Sequence, residues 1–168
     1  MILLTEYLTV LHNKKEFSSG KILLDNYLKR QASQDIKRKS SACFVLPDTK
    51  LNLIKGYYTL SNNIIPSELI PDNFKIRLPG SYSSIPATLL GRLAVDYRYQ
   101  ERGIGKLLLI DALKRSFIIS KSIGSFAVVV DPLDEEAEGF YYKYGFIKLP
   151  DSGKMFLLMK VINQLFEE

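Results

Sequence analysis

The chain has 168 residues, of which 46% are hydrophobic and 24% charged, so we expect a single domain over residues 1–168 with a sizeable core. It contains one cysteine and one histidine, too few for a structural zinc site, and no metal is expected. The sequence lacks an apolar run of the roughly 18 residues that span a bilayer. It also begins without a basic leader or a small-residue cleavage site, so a cytoplasmic protein with no membrane partner is expected.

The formal net charge of +5 is concentrated near the N-terminus. Between Lys14 and Lys39, eight basic residues stand against three acidic ones, so this segment alone carries +5. Such a basic segment can bind nucleic acid or the phosphates of a cofactor. A solvated helix face is the alternative interpretation.

The first forty residues predict a strand followed by helices. Residues 2–10 read as a first strand. Ser18 or Ser19 can cap a helix that packs on the core, because apolar residues then recur at helical spacing, at Ile22, Leu23, Leu24, Tyr27 and Leu28. A shorter, more polar helix is expected over residues 32–39. His12 is expected to be a surface or core residue and not a catalyst.

A hairpin is predicted next. Residues 42–46 and 51–60 have strand character and flank the turn residues 47–50. Cys43 lies within the first of these apolar runs, so we expect a buried strand residue and not a nucleophile. Residues 61–86 contain four prolines, too many for a central strand, and such a long connection is a candidate wall of an acceptor pocket.

The middle of the chain predicts a strand over residues 88–95, a glycine-containing loop over 100–105, a helix to about Lys121 and an apolar strand over 125–130. A strand, a helix and a second strand in this order predict a parallel pair. Two glycines two apart let the loop backbone approach a ligand, and the N-terminus of the following helix favours an anion. A diphosphate would suit this loop, and a plain glycine turn that caps a helix is the alternative.

The last third predicts a helix that begins with acidic residues near Asp134 and ends at Gly145, then strands over residues 146–149 and 155–162. The predicted fold class is therefore α/β of the α+β type. It consists of a mixed, mostly antiparallel sheet with a central parallel pair, flanked by helices.

Two motifs resemble those of the GNAT superfamily of N-acetyltransferases. The loop Gln100-x-x-Gly103-x-Gly105 is similar to the family's Gln/Arg-x-x-Gly-x-Gly/Ala loop, and Phe140-Tyr141-x-x-x-Gly145-Phe146 is similar to its late helix-to-strand motif. The resemblance implies the GNAT fold and acetyl-CoA as co-substrate. Where many members have Asn after the apolar strand, this chain has Asp131, so a side-chain contact to the cofactor from that position is not expected.

The resemblance also implies the site residues. The cofactor-binding residues would be Leu93, Ala94 and Val95, beside the pantetheine arm, and Gln100, Glu101, Arg102, Gly103, Ile104, Gly105 and Lys106, whose backbone amides would hold the pyrophosphate. Tyr141 would be the catalytic residue, with its hydroxyl directed at the cofactor sulfur. A half-buried structural aromatic is the alternative for Tyr141.

One branch of the family is more similar still. The run from Leu90 to Asp96 leading into Gln100, together with the segment from Phe17 to Leu28, is similar to the acetyltransferase toxins of bacterial toxin–antitoxin pairs. This similarity implies aminoacyl-tRNA as acceptor and a ribbon-helix-helix antitoxin as partner. A homodimer is a further candidate assembly.

The acceptor stays open at this point. The function predicted is direct transfer of acetyl from acetyl-CoA to a primary amine, either on a small molecule or peptide or on aminoacyl-tRNA, and the third alternative is a non-catalytic CoA-binding module. Tyr141 argues against that module. No carboxylate or histidine is spaced to indicate a general base, which favours an α-amine, with a pKa of about 7.7–8.0, over a lysine at about 10.4.

Overall fold

The computed structural model describes residues 2–75 and 80–167. Its strands are β1 (Glu6–Tyr7), β2 (Ala42–Pro47), β3 (Ile54–Pro66), β4 (Ser84–Val95), β5 (Ala127–Val130), β6 (Ile147–Lys148) and β7 (Met155–Leu158). Its helices are α1 (Ile22–Asn26), α2 (Ala32–Arg38), α3 (Asp72–Lys75), α4 (Ile104–Ser120), α5 (Glu135–Lys143) and α6 (Met159–Phe166). A π-helical turn, Tyr27–Gln31, joins α1 to α2, and short 3-10 turns cover Ser67–Leu69 and Tyr97–Tyr99.

The seven strands form one sheet in the order β1-β2-β3-β4-β5-β7-β6. The pairs β1–β2, β2–β3, β5–β7 and β6–β7 are antiparallel, and β4–β5 is the parallel pair. This arrangement confirms the predicted fold class, the hairpin and the crossover through α4. All four residues of β5 are buried, as expected of a strand in the middle of a sheet.

The chain forms two compact units, and whether they act as one domain over residues 1–168 stays a prediction. The first unit comprises Met1–Ser61 and Leu90–Arg115, and the second Asn62–Leu89 and Ser116–Glu168. The core of the first contains residues such as Phe17, Leu28, Tyr57 and Ala94. The core of the second contains residues such as Ile85, Val129 and Phe156.

The N-terminal predictions were partly wrong. Only Glu6 and Tyr7 of residues 2–10 form a strand, because the backbone N–H of Thr9 donates to Nδ1 of His12 and turns the chain. Ser19 does not cap α1. Its N–H and hydroxyl both donate to Asp25 Oδ1, at 2.8 and 2.7 Å.

The same helix does not pack on the core along all of its predicted apolar positions. Ile22 and Leu23 are 74% and 69% exposed, whereas Tyr27 and Leu28 in the π-helical turn are buried. Cys43 is buried in β2, as predicted.

Two strands are longer than predicted because their prolines do not interrupt the pairing. Pro66 is the last residue of β3, and Pro86 in β4 accepts a hydrogen bond from Phe126 N–H at 2.8 Å, a role that requires only its carbonyl. The two ends of the predicted connection over residues 61–86 are therefore strand, namely residues 61–66 and 84–86, and Pro79 lies outside the described residues.

The last predicted strand, residues 155–162, was also wrong in its second half. β7 ends at Leu158, and Met159–Phe166 form α6. Met159 and Ile162 are buried, while Val161 and Leu165 are exposed, which is a helical pattern. A short apolar run does not distinguish a strand from a helix.

In the described part of the chain, no helix is long and apolar enough to cross a membrane.

Close packing around Gly56 gives a first prediction. A Cβ atom at Gly56 would lie 2.6 Å from Leu108 Cδ1 and 2.8 Å from the carbonyl oxygen of Ala94. Since the oxygen belongs to the backbone of β4, that strand must shift to admit a methyl group. We expect Gly56→Ala to lower the free energy of unfolding by about 1–3 kcal/mol, measured by urea denaturation.

Gly139→Ala in α5 is the matched control, because a Cβ atom there meets nothing within 4 Å. That variant should be as stable as the parent or more stable by about 0.5–1 kcal/mol. Parental stability of Gly56→Ala would contradict the packing argument.

Candidate active site

The segment between β4 and α4 is organised around Asp96. Its carboxylate is fully buried and receives four hydrogen bonds: the backbone N–H groups of Ser18 and Arg98 donate at 3.0 Å each, and the Arg98 guanidinium donates through Nε and Nη2 at 2.8 and 3.1 Å. Burial alone would raise the pKa of Asp96, but the hydrogen bonds from Arg98 and Ser18 outweigh it and lower that pKa. Asp96 is therefore an ionised anchor for the start of the loop.

Gln100 ties the loop to the end of β4. Its side-chain Nε2 donates to the carbonyl oxygens of Ser19 and Val95, at 2.8 and 2.9 Å. Of the residues predicted to bind cofactor, Val95 and Gln100 are thus brought into direct contact. Leu93 and Val95 are half-buried and Ala94 is buried in the first unit's core.

The loop then reverses direction at two residues with left-handed backbone conformations, Glu101 with φ 61° and Gly103 with φ 76°. This conformation is costly for most side chains and accounts for glycine at position 103. A Cβ atom at Gly103 would meet nothing within 4 Å, so the space beside the loop is open.

Gly103 also stands directly before α4. Leu107 N–H donates to the Gly103 carbonyl at 3.1 Å, which makes Gly103 the N-cap residue. The N–H groups of the first turn, at Ile104, Gly105 and Lys106, consequently have no carbonyl partner within the helix. α4 is 17 residues long, so its positive dipole end coincides with these free donors and favours an anion. Glu101, Arg102 and Lys106 are exposed around it.

Tyr141 lies in the second unit, on α5. The carboxylate of Asp134 caps this helix by accepting the Ala137 N–H at 2.9 Å. Gly145, with φ 91°, ends the turn, and Phe146 N–H donates to the Tyr141 carbonyl at 3.2 Å. The rings of Phe140 and Phe146 each lie 5.3 Å from that of Tyr141. The aromatic motif therefore forms a helix end with a packed cluster of rings.

The hydroxyl group of Tyr141 has no hydrogen-bond partner among the described residues. Within that part of the chain every fully buried side-chain nitrogen or oxygen has a partner, so this hydroxyl still touches solvent although its residue is only 7% exposed. Burial raises the pKa of Tyr141. The group is therefore a protonated, unused hydrogen-bond donor at neutral pH.

The remaining candidates have structural roles. His12 is buried and lies 2.8 Å through Nε2 from Glu6 Oε1. Burial raises the pKa of the Cys43 thiol to about 12, which makes it a poor nucleophile. No three His, Cys, Asp or Glu side chains cluster as metal ligands in the described parts of the chain.

Sequence reasoning missed Asp96 as the organiser of the loop. A charged residue directly after an apolar strand was the available signal. Its partner Ser18 is 78 residues away in sequence, and nothing in one sequence relates the two.

Comparisons with known proteins identify the family of this chain. Residues 74–148 match the family described as acetyltransferase (GNAT) domain. The chain is 36% identical over 145 residues, 86% of this chain and 84% of the relative, to the tRNA-acetylating toxin of Mycobacterium tuberculosis.

Two solved structures of the toxin AtaT are also similar. AtaT complexed with acetyl-methionyl-tRNAfMet gives a TM-score of 0.89 at 28% identity, covering 98% of this chain and 99% of that chain. A tyrosine-to-phenylalanine mutant of AtaT, bound to the C-terminus of the antitoxin AtaR and acetyl-CoA, gives a TM-score of 0.83 at 26% identity, covering 99% of each chain. On the strength of these similarities, this chain belongs to the GNAT family of N-acetyltransferases.

Proposed function

We propose that this protein transfers the acetyl group of acetyl-CoA to the α-amine of aminoacyl-tRNA and is the toxin of a toxin–antitoxin pair. The observation that carries the proposal is the 36% identity, across most of both chains, to a tRNA-acetylating toxin. The similarity to AtaT, in complexes with an acetylated aminoacyl-tRNA and with acetyl-CoA, also supports it.

The loop after β4 supports acetyl-CoA as the co-substrate. A pyrophosphate needs hydrogen-bond donors and positive potential, and the first turn of α4 offers free N–H groups at the positive end of a helix of 17 residues. The exposed cations Arg102 and Lys106 flank them. In this proposal the side chain of Gln100 does not touch the cofactor, since both of its hydrogen bonds go to protein carbonyls, and it positions the loop.

The proposed reaction is a direct transfer. The neutral α-amine attacks the thioester carbonyl of acetyl-CoA, a C–N bond forms, the C–S bond breaks, and the CoA thiolate leaves. Tyr141 then donates its hydroxyl proton to the sulfur, while the new amide nitrogen releases a proton to solvent. Solvent then returns the proton, because burial raises the pKa of Tyr141 and the protonated hydroxyl is the favoured form at neutral pH.

The basic segment Lys14–Lys39 supports an RNA acceptor. Lys29 and Arg30 are exposed on the π-helical turn, and Lys37, Arg38 and Lys39 are exposed at the end of α2. Exposed cations grouped in this way attract the phosphate backbone of RNA. The antitoxin bound to AtaT supports a protein partner here too. That this partner is a ribbon-helix-helix protein, and that the chain forms a homodimer, stay predictions.

The acceptor can be tested directly. Purified protein incubated with a mixture of aminoacyl-tRNAs and acetyl-labelled acetyl-CoA should place label on the aminoacyl-tRNA fraction, because its α-amines are partly neutral at pH 7.5. The control is formyl-methionyl-tRNA, whose amine is blocked and which should stay unlabelled. Label on free amines or peptides, with none on aminoacyl-tRNA, would overturn the proposed acceptor.

Gly103→Glu should abolish acetyl-CoA binding, because the change places a side chain and a negative charge where the pyrophosphate would lie. The measurement is isothermal titration calorimetry on protein shown by circular dichroism to be folded. Gly124→Glu is the control with the same charge, since a Cβ atom there also meets nothing within 4 Å and it lies beyond the opposite end of α4. Retained affinity in folded Gly103→Glu would refute the assignment of the loop.

Tyr141→Phe should lower kcat by about 100-fold while acetyl-CoA still binds, because only the hydroxyl is removed and the ring packing stays. The neighbouring Tyr144→Phe is the control and should change kcat little. A Tyr141→Phe enzyme within about threefold of the parent would contradict the role of the hydroxyl, since that ratio is under about 1 kcal/mol of barrier.

A further inference from the structure

Arg92 on β4 is held in place without using its hydrogen-bond donors. Its guanidinium carbon lies 3.5 Å from the centre of the Tyr27 ring, a stacking distance. It has no hydrogen bond or ion pair with any residue that the structure describes. Arg115 shows the contrast, because it also stacks on an aromatic ring, at 3.9 Å from Phe44, but donates to the Tyr58 hydroxyl and to the Thr5 carbonyl.

Arg92 is half-buried, whereas Lys29 and Arg30 on the π-helical turn are exposed. A guanidinium on a solvent-exposed side chain satisfies its donors with water. A guanidinium whose face is covered by a ring has only its edge available, and its five N–H groups all lie in that plane.

The Tyr27 ring, on which Arg92 stacks, is itself held in place. It is buried in the first unit's core, and its hydroxyl donates to Asp35 Oδ2 at 2.9 Å. Burial and the bond to Asp35 raise the pKa of Tyr27 to about 12, so the ring stays neutral at cellular pH. Tyr27 begins the π-helical turn Tyr27–Gln31, a rare local structure that is frequent at functional sites.

Arg92 itself supplies the positive charge that favours an anionic ligand at this pair. Asp25 and Asp35 are the carboxylates close by, and their oxygens accept hydrogen bonds from Ser19 and Tyr27 respectively. The exposed cations Lys29 and Arg30 belong to the same π-helical turn as Tyr27. These two cations and two carboxylates cancel, so the net positive charge at this place is that of Arg92 itself.

We propose that Arg92, held flat on Tyr27, binds a backbone phosphate of the acceptor RNA through the edge of its guanidinium. The inference rests on the proposed function, since the RNA is its acceptor. A phosphate accepts two parallel N–H bonds from a guanidinium edge, and the stacked face leaves that edge pre-oriented.

The other source of a phosphate is CoA, and the geometry favours RNA. Arg92 joins the basic segment through Tyr27, and three residues of strand, about 10 Å, separate it from Val95, where Gln100 ties down the glycine loop. The two sources predict different effects on binding.

The test compares Arg92→Met, which removes the charge, with Arg92→Lys, which keeps the charge but loses the two parallel N–H donors. Binding of deacylated tRNA is measured by filter binding at several salt concentrations, and binding of acetyl-CoA by calorimetry. Arg92→Met should weaken tRNA binding about tenfold and reduce the slope of log K against log salt by roughly 0.7–0.9, the value for one phosphate contact. Its acetyl-CoA affinity should stay within about twofold of the parent.

Arg92→Lys should keep most of the salt slope and lose about threefold or more in affinity, because a lysine cannot form the bidentate contact. Lys160→Met on α6 is the control for loss of one exposed charge. It should change neither the affinity for tRNA nor that for acetyl-CoA. If Arg92→Met does not fold, Arg92→Lys decides the question alone.

Suppose that the parent protein binds and acetylates aminoacyl-tRNA. If the Arg92 variants then keep the parental tRNA affinity and salt slope, this inference is overturned and the proposed function stays intact. Loss of acetyl-CoA affinity with unchanged tRNA binding would assign Arg92 to a CoA phosphate and also overturn it. A parent protein that neither binds tRNA nor acetylates aminoacyl-tRNA would overturn the proposed function itself.

Discussion

The buried carboxylate of Asp96 is the constraint on which the loop geometry depends. An ionised carboxylate without contact to water is costly unless hydrogen bonds replace its hydration. Here the replacement comes from the Arg98 fork and from two backbone N–H groups, one of them on the distant residue Ser18. The requirement to satisfy this one charge therefore joins the segment before α1 to the segment after β4.

Neighbouring hydrogen bonds also connect the segment before α1 with the segment after β4. Tyr97 N–H donates to the Ser18 carbonyl at 2.8 Å, and Gln100 bridges the carbonyls of Ser19 and Val95. Farther along α4, Asp111 accepts hydrogen bonds from Leu4 N–H, the Thr5 hydroxyl and the Tyr58 hydroxyl. The first two turns of α4 are thus held by Gln100 before the helix and by Asp111 within it. The free N–H groups of the first turn are therefore fixed in direction before any ligand binds. Such preorganisation lowers the cost of binding an anion.

The parts of the fold and site that sequence predicts are the local ones. The loop from Gln100 to Gly105 could be predicted because a left-handed backbone at Gly103 and a helix start leave a mark within six residues. The partners of Asp96 and Arg92 could not, because Ser18 and Tyr27 are tens of residues away in sequence. The π-helical turn and the helical half of residues 155–162 were missed for another reason, since apolar spacing over one turn fits more than one backbone.

The proposed chemistry makes positioning the main task of this protein. An α-amine is partly neutral at cellular pH, so no strong base is required. Burial raises the pKa of Tyr141, so in the proposed reaction its hydroxyl would act as a neutral donor. What remains is to bring a thioester and an amine together, and well-oriented reactants gain far more rate from proximity than one proton donor supplies. The buried carboxylates of Asp96 and Asp111 and the side chain of Gln100 hold the loop and the start of α4 in place, and this is the positioning that the proposed reaction requires.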